Sequence, residues 1–338
     1  MMAKITMQEI AEIAGVSKTA VSYAFNYPDR ISKETLQKIL KIAEELDFIP
    51  DPIARSMSTG IIGIIGVLVP HPLPEMLANP GFTIVLEGLG EALKEDKASL
   101  MLVPPLEGSL TRAVANASVD AFVAYDLKES RAVAQILQAR RIPFVTVDTD
   151  PIQDISGVLA DDISSAEQMM KLVLEKGHKN IVIIALEPLE AVEEISYRGT
   201  VHRRMMGFER ALGAHQDPIS MRVRSCKCTQ KDAGLLFREL WQDHERPTAI
   251  VTMSDVIAMG VISEALQMGL RVPQDLAVTG FDDIPGASYF HPPLTSIYQD
   301  HYEKGRVAGD LLLKSRDSLL DKAQFVHFKT ELVIRKSL

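Results

Sequence analysis

Residues 6–25, TMQEIAEIAGVSKTAVSYAF, decide how the amino-terminal part of this chain folds. Apolar residues at helical spacing predict a first helix, and a threonine and a glutamate three residues apart form a capping-box start. Gly15 marks a turn, since glycine adopts positive φ without steric cost. Ser17 can cap a second helix, Lys18–Phe25. This is the helix-turn-helix pattern, whose second helix enters the DNA major groove; the alternative is an ordinary helical hairpin in a core.

A third helix and a short fourth segment follow this pair. Ser32 can cap a helix over Lys33–Leu46, along which apolar residues form one stripe. Asp51 and Pro52 then suit the N-cap and the first position of a helix Ile53–Ser58. Because so short a helix is not stable alone in water, the sequence predicts that a partner completes it.

The motifs GVSKTAVSYAFN (15–26) and ISKETLQKILKIAEELDFIPDPIARSM (31–57) resemble the DNA-binding headpiece and hinge helix of the lac repressor (LacI/GalR) family. Residues 163–184 and 246–297 are also similar to that family, so the resemblance covers nearly the whole chain. It implies an all-α helix-turn-helix headpiece at 1–50, a hinge helix and linker at 51–60, and an effector-binding and dimerisation core at 61–338. The implied core resembles periplasmic sugar-binding proteins, with lobe one at about 61–156 and 292–324 and lobe two at about 157–291 and 325–338.

Beyond the hinge, the residues themselves predict an α/β fold. Strand and helix patterns alternate from the apolar run Ile61–Val69 onward, which predicts parallel sheets with helices on both faces. Ligands of such sheets bind outside the carboxyl ends of the strands. Asp148 and Ser254 directly follow predicted strands, and Asp282 follows a third after Phe281, although such residues also cap helices.

Composition limits the classes of function. The chain has 338 residues, 46% of them hydrophobic, and a net charge of −9, which indicates a globular protein and no general affinity for polyanions. Residues 1–60 hold seven basic and eight acidic residues, so charge alone does not predict DNA binding. Cys226 and Cys228 lack further cysteines to complete a metal site, and we expect neither metal nor cofactor. Neither a signal peptide nor a membrane span is recognisable, which predicts a cytoplasmic protein.

The predicted DNA contacts lie in the headpiece and the hinge. Lys18 and Thr19 open the recognition helix, where side chains reach base edges, and Tyr23 lies one turn further, where the family often has arginine. Candidates for phosphate contacts are Ser17, Ser22, Asn26 and Lys33. The family resemblance places Met57 where a leucine usually enters the minor groove, flanked by Ala54 and Arg55.

The resemblance also implies a set of effector-binding residues: Phe82, Asp148, Arg198, Thr200, Arg204 and Asp282. Phe82 would stack on a flat ring or a sugar face. Arg204 and Asp282 would form a donor and acceptor pair suited to sugar hydroxyls or a polar base. Ser254 lies where the family commonly has asparagine, so the specificity of any one relative does not transfer. A sugar, a nucleoside and a phosphorylated sugar all remain candidates, as does the absence of an effector.

These observations predict a sequence-specific transcriptional regulator that binds double-stranded operator DNA and a small-molecule effector. Since two headpieces related by two-fold symmetry read matching half-sites, we expect a homodimer, or a tetramer, on a pseudo-palindrome. The family is mostly repressors, which favours repression over activation. The alternatives are an enzyme or a free binding protein on the same sheet architecture. The sequence contains no nucleophile elbow, phosphate-binding loop or metalloprotease motif, so we predict no catalytic residues.

Overall fold

The computed structural model describes residues 5–96, 98–127, 130–186, 199–318 and 322–338. The chain forms two compact units, one of Met1–Ile64 with Ser118–Asp120 and one of Ile65–Ala117 with Ala121–Leu338. Each unit has its own apolar core. Along the described segments, no helix combines the length and the apolar character needed to cross a membrane.

The first unit contains the predicted helix-turn-helix. Helix α1 (Met7–Ala14) begins with the capping box and ends at Gly15, whose φ of 63° lies in the left-handed region. Helices α2 (Lys18–Asn26) and α3 (Lys33–Glu45) begin at the predicted serine caps. A small core joins the three helices through Ile10, Ala11, Ala14, Val21, Ala24, Ile39 and Ala43. Helix α4 (Pro52–Thr59) follows with Asp51 as its N-cap, and none of its residues is buried.

Lobe one of the second unit is built on a six-stranded sheet. Its strand order is β11-β5-β4-β3-β1-β2, and the pairs from β11 to β1 are parallel. The strands are β1 (Ile64–Leu68), β2 (Ser99–Val103), β3 (Ala121–Tyr125), β4 (Phe144–Val147), β5 (Gly157–Ala160) and β11 (Phe325–Phe328). The helices of this lobe are α5 (Leu73–Leu77), α6 (Pro80–Ala92), α7 (Leu110–Asn116), α8 (Ser130–Ala139) and α13 (His301–Arg316).

Lobe two is built on a four-stranded parallel sheet with strand order β7-β6-β8-β9. The strands are β6 (Asn180–Ala185), β7 (Ser220–Ser225), β8 (Ala249–Thr252) and β9 (Ala277–Thr279). The helices are α9 (Asp162–Glu175), α10 (Thr200–Ala214), α11 (Gln230–Gln242) and α12 (Asp255–Gln267). A separate antiparallel pair joins β10 (Ser296–Tyr298) to β12 (Glu331–Val333). Two lobes of parallel strands and helices confirm the predicted α/β fold.

The predicted boundaries between the lobes are wrong by one strand at 157, 292 and 325. The boundary at 292 assigns β10 to lobe one, but bridges between Thr279 and Thr295 and between Asp282 and Tyr298 join it to the end of β9 in lobe two. Strands β5 and β11, which the boundaries at 157 and 325 assign to lobe two, both belong to the sheet of lobe one. Thr146 of β4 is in register with Gly157 of β5, and β11 pairs with the other side of β5. Strand β5 completes the hydrogen bonds of its neighbour β4 in lobe one. The chain therefore crosses to lobe two only after β5.

Two glycines allow helices α6 and α13 of lobe one to touch backbone to backbone. A Cβ atom on Gly88 of α6 would lie 1.9 Å from the carbonyl oxygen of Tyr302, and one on Gly305 of α13 would lie 2.0 Å from that of Val85. Real Cβ atoms cannot approach so closely, so only glycine fits at both positions. This contact fixes the first turn of α13, which carries His301 and Lys304.

Candidate functional site

A cavity of about 390 Å³ lies where the strand ends of lobe one face helix α10 of lobe two. Tyr125 at the end of β3 and Asp148 after β4 line it from lobe one, and Asp282 after β9 lines it from lobe two. Polar residues on its wall include His71, Glu75, Asn79, Tyr125, Asp126, Asp148, Thr200, Arg204, Lys227, Thr229, Asp282 and His301. The cavity therefore occupies the carboxyl ends of the strands, where parallel sheets bind ligands.

Arg204 is the centre of the polar network on the lobe-two side. Its Nε donates to Asp162 at 3.0 Å and its guanidinium to Asp282 at 3.3 Å, and it also donates to the carbonyl oxygen of Met253. The guanidinium carbon lies 3.6 Å from the centre of the Phe281 ring. Burial disfavours the charged form, but the two carboxylates outweigh it and raise the pKa of Arg204. Arg204 is therefore a fixed buried cation.

Asp282 faces Arg204 from the end of β9. Burial raises the pKa of Asp282 to about 6, although the charges of Arg204 and Lys304 oppose this shift. The amide of Gln299 donates to the same carboxylate at 3.0 Å. The backbone of Asp282 has a φ of 110°, which a residue with a side chain rarely adopts. Strain of this kind is found at functional sites, where the surrounding structure enforces it.

A buried lysine lies on the lobe-one side of the cavity. Lys304 is fully buried, and its Nζ donates to Asp148 Oδ2 at 2.7 Å and to Gln299 Oε1 at 3.0 Å. The other carboxylate oxygen of Asp148 is buried and has no hydrogen-bond partner among the described residues. The same holds for both ring nitrogens of His301. Burial, together with the charges of Lys304 and Arg204, lowers the pKa of His301 well below its ordinary value, so this imidazole is neutral.

The first turn of α10 connects the two lobes. The hydroxyl of Thr200 donates to Asp126 at 2.9 Å, and the amide of Gly199 donates to Asp150 at 3.0 Å. Arg203 donates to Asp162 of lobe two at 3.0 Å and to both Asp150 and the carbonyl oxygen of Asp148 in lobe one. Arg203 thus bridges the lobes beside the cavity.

The structure brings four of the predicted effector residues to the cavity wall: Asp148, Thr200, Arg204 and Asp282. Phe82 is not among them. Its side chain is fully buried, and its ring packs edge-on against Tyr125 with 5.0 Å between ring centres, so Tyr125 presents the aromatic surface. Arg198 lies outside the described residues.

Ser254 is also absent from the cavity wall. Its hydroxyl caps α12 by accepting from the Val256 amide, and the thiol of Cys228 donates to it at 3.4 Å. Cys228 lines the cavity instead. Burial raises the pKa of the Cys228 thiol to about 11, so this cysteine is a neutral wall residue.

Sequence reasoning missed the cavity residues Tyr125 and His301, and also Arg203 and Lys304, which contact Asp148 from behind the cavity wall. One of them left a recognisable signal. Lys304 lies on the stripe of α13 that also carries Ala308 and Leu311, both of which are buried. A lysine on a buried apolar stripe requires a carboxylate partner, and this pattern alone points to an internal ion pair.

The predicted DNA-reading face of the headpiece is accessible. Lys18, Thr19 and Lys33 are exposed, and the hydroxyl of Ser17 accepts from the Ala20 amide as a helix cap. Asn26 donates to Ser22 at 3.3 Å on the same helix. Tyr23 is half-buried, and its ring meets that of Tyr27 edge-on with 6.1 Å between ring centres. The guanidinium of Arg30 lies 4.8 Å from the Tyr27 ring centre, a contact that the sequence did not indicate.

The hinge helix exposes an apolar stripe formed by Ile53 and Met57, four residues apart on α4, and Ile49 and Ile61 outside the helix are exposed as well. Met57 is 84% exposed and Ile53 is 72% exposed, values that a monomer in water does not favour for large apolar side chains. Ala54 and Arg55, which flank the stripe, are exposed as well.

Comparison with known proteins agrees with this arrangement. A model of the lacI family of bacterial regulatory proteins matches residues 6–51, and a model of a periplasmic binding protein-like domain matches residues 170–338. The HTH-type transcriptional regulator Rv3575c of Mycobacterium tuberculosis is 31% identical over 98% of this chain and 96% of its own length. The HTH-type transcriptional repressor PurR of Vibrio vulnificus is 27% identical over 98% of both chains.

A solved structure of the lac repressor dimer bound to operator and the anti-inducer ONPF covers 98% of both chains, with a TM-score of 0.79 and 23% identity. This likeness confirms the fold of both units. The two sequence relatives are transcription regulators, which confirms the prediction that the chain is not an enzyme.

Proposed function

This chain belongs to the LacI family of bacterial regulatory proteins, and from that membership we propose that it is a cytoplasmic repressor that binds a pseudo-palindromic operator as a homodimer. The observation that carries the proposal is the apolar stripe of the hinge. Helix α4 has no buried residue, while Met57 and Ile53 are largely exposed. A second hinge helix would cover this stripe, and the minor groove would receive Met57.

In the proposed complex, α2 reads bases and its surroundings hold the backbone. Lys18 and Thr19 would contact base edges in the major groove, with Tyr23 one turn further along. Phosphates would be held by Ser17, Ser22, Asn26 and Lys33. Ala54 and Arg55 would flank Met57 at the centre of the operator.

The proposed effector is a small polar molecule, a sugar or a nucleoside-like compound, bound in the cavity between the lobes. Asp148, Thr200, Arg204 and Asp282 would form its polar contacts, and Tyr125 would supply the aromatic surface. Arg198 and Ser254 remain without support from the cavity geometry. Binding would shift the two lobes against each other, change the spacing of the hinge helices in the dimer, and so alter operator affinity.

Selection of random duplex DNA by the purified full-length protein, at two salt concentrations, tests the proposal. We expect a pseudo-palindrome with a flexible pyrimidine–purine step at its centre, bound more weakly at the higher salt. If no sequence is enriched at either salt concentration, the proposed function is wrong for the protein without effector, and the selection is repeated with a ligand that the cavity binds.

Substitution of Lys18 by methionine should weaken operator binding roughly 5- to 100-fold and relax the base preference at one position of each half-site, because it removes a donor to guanine. The measurement is fluorescence anisotropy on the selected operator and on single-base variants. Lys38→Met, on the exposed part of α3, is the matched control for loss of one positive charge. Equal losses in the two variants would show that Lys18 acts only through charge.

The amides of residues 53–59 should exchange rapidly in the free protein and become protected in the operator complex. A helix of this length without buried side chains gains too little from packing to resist opening. Hydrogen–deuterium exchange with mass spectrometry measures this, and α3, whose Ile39 and Ala43 are buried, serves as the internal reference. Strong protection of residues 53–59 without DNA would contradict the prediction.

A further inference from the structure

The cations around the cavity are already neutralised by the protein itself. Arg204 is paired with Asp162 at 3.0 Å and with Asp282 at 3.3 Å. Lys304 is paired with Asp148 at 2.7 Å. The remaining ion pairs are Arg203 with Asp150 and Asp162, and Lys227 with Glu75. Within the part of the chain that the structure describes, every lysine and arginine at the cavity thus has a carboxylate partner, and only the pair of the exposed Lys227 with Glu75 lies where water screens it.

Carboxylates outnumber these cations. Six acidic side chains line the cavity or contact the cations of its wall: Glu75, Asp126, Asp148, Asp150, Asp162 and Asp282. Four cations face them: Arg203, Arg204, Lys227 and Lys304. Even with Asp282 protonated, the described residues carry more negative than positive charge. A phosphate or carboxylate would enter a site of like charge and would have to displace a carboxylate from its partner.

The unsatisfied polar atoms point to a ligand that donates hydrogen bonds. Asp148 Oδ1 is a buried acceptor without a partner among the described residues, and Asp148 lies on the cavity wall. His301, only 6% exposed and on the same wall, has two ring nitrogens without hydrogen-bond partners among the described residues, and its Nε2 lies 3.8 Å from Asp282 Oδ1. A neutral imidazole has one donor and one acceptor, which match a hydroxyl group. Leaving such atoms unpaired is costly, so a ligand that satisfies them gains affinity.

We propose that the effector is a hydroxyl- or amine-bearing molecule without phosphate or carboxylate, bound beside Asp148 and His301 on the cavity wall. The inference rests on the proposed function for the role of the cavity. It separates the candidate classes that the sequence leaves open, since it retains neutral sugars and nucleosides and excludes phosphorylated sugars.

Thermal-shift titration of the full-length protein with matched ligand pairs tests this inference. The probes are pentoses, hexoses, disaccharides, amino sugars and nucleosides, each beside its phosphate ester or sugar acid where one exists. We expect at least one non-anionic probe to raise the melting temperature in a concentration-dependent manner, with its anionic counterpart at least about 100-fold weaker. A phosphate ester or sugar acid that binds more tightly than its parent would overturn the inference, as would a panel in which no non-anionic probe binds.

Two substitutions should move this discrimination in opposite directions. Asp148→Asn removes a negative charge and leaves Lys304 unpaired, so the preference for the neutral member of a pair should fall about tenfold or more. Lys304→Met removes a positive charge, so the preference should increase. Asp154→Asn, an exposed carboxylate away from the cavity wall, is the control and should leave it unchanged. If both variants changed the preference for the neutral ligand in the same direction, Asp148 and Lys304 would have only a structural role and the charge argument would be wrong.

The DNA selection keeps the two proposals separate. If an operator is recovered but the best ligand is an anion, the effector class is wrong and the regulator remains. If no operator is recovered with or without a neutral ligand that binds the cavity, the ligand class stands and the proposed function is wrong.

Discussion

Replacement of Arg204 by methionine should lower the free energy of unfolding by about 3–5 kcal/mol and abolish the response of operator binding to effector. Methionine keeps most of the volume, but the cation–π contact with Phe281 is lost and Asp282 loses the arginine that is hydrogen-bonded to it. Asp162 remains hydrogen-bonded to Arg203, so the decrease in the free energy of unfolding should lie in the lower part of the about 3–5 kcal/mol range. The measurements are thermal melting and operator titration with and without ligand.

The loss from Arg204→Met should be smaller near pH 5 than near pH 8. The folded-state pKa of Asp282 is raised to about 6, above its ordinary value of 3.8, so the carboxyl is protonated below that pH and needs no cation. As the pH rises through about 6, ionisation creates the buried charge, which Arg204 stabilises more than Lys304 does. Arg210→Met, on the exposed face of the same helix, is the control and should change stability little at either pH. A loss independent of pH would contradict the assignment to Asp282.

Substitution of Gly88 by alanine should destabilise lobe one by about 3 kcal/mol or more, the upper end for overpacking in a core. The added Cβ would lie 1.9 Å from the Tyr302 carbonyl oxygen and 2.9 Å from the Arg306 amide nitrogen, and neither backbone atom can yield without moving α13. Since α13 carries His301 and Lys304, ligand binding should weaken together with stability. Calorimetry and the thermal-shift titration measure the two effects.

Gly90→Ala on the same helix is the matched control for Gly88→Ala. A Cβ at Gly90 meets no atom within 4 Å, so the alanine adds only its higher helix propensity. We expect a gain of about 0.5–1 kcal/mol. If both glycine variants behaved alike, helix propensity rather than the contact between α6 and α13 would explain the result.

The sequence predicts those parts of the fold in which local pattern and environment agree. The helix predicted over Lys33–Leu46 is observed over Lys33–Glu45, because its serine cap and its apolar stripe indicate the same element. Helix α13 was not assigned from the sequence, although Ala308 and Leu311 continue the stripe on which Lys304 lies. The lobe boundaries could not be predicted either. Strand β5 would be apolar in the sheet of either lobe, and only its pairing with β4 shows that it belongs to lobe one.

In the candidate site, too, some residues could be predicted from the sequence and others could not. Asp148 and Asp282 were identifiable because they follow strands, and strand ends hold ligands in parallel sheets. Lys304 lies 156 residues from Asp148, and no spacing rule connects two residues so far apart. Phe82 was placed at the cavity by resemblance alone, which carries no information about Tyr125 covering it in this chain. Side chains that meet only through tertiary structure therefore remained outside the sequence argument.

The pairing of β11 with β5 also sets an order of assembly on the ribosome. Gln324, beside β11, is hydrogen-bonded to Ser156, from which 168 positions separate it along the chain. The whole lobe-two sheet is translated in between. Until β11 has been made, β5 presents an open strand edge, which is a template for aggregation. The headpiece, by contrast, closes its core within its own short segment. A nascent or prematurely terminated chain therefore has a folded headpiece attached to an incomplete lobe one.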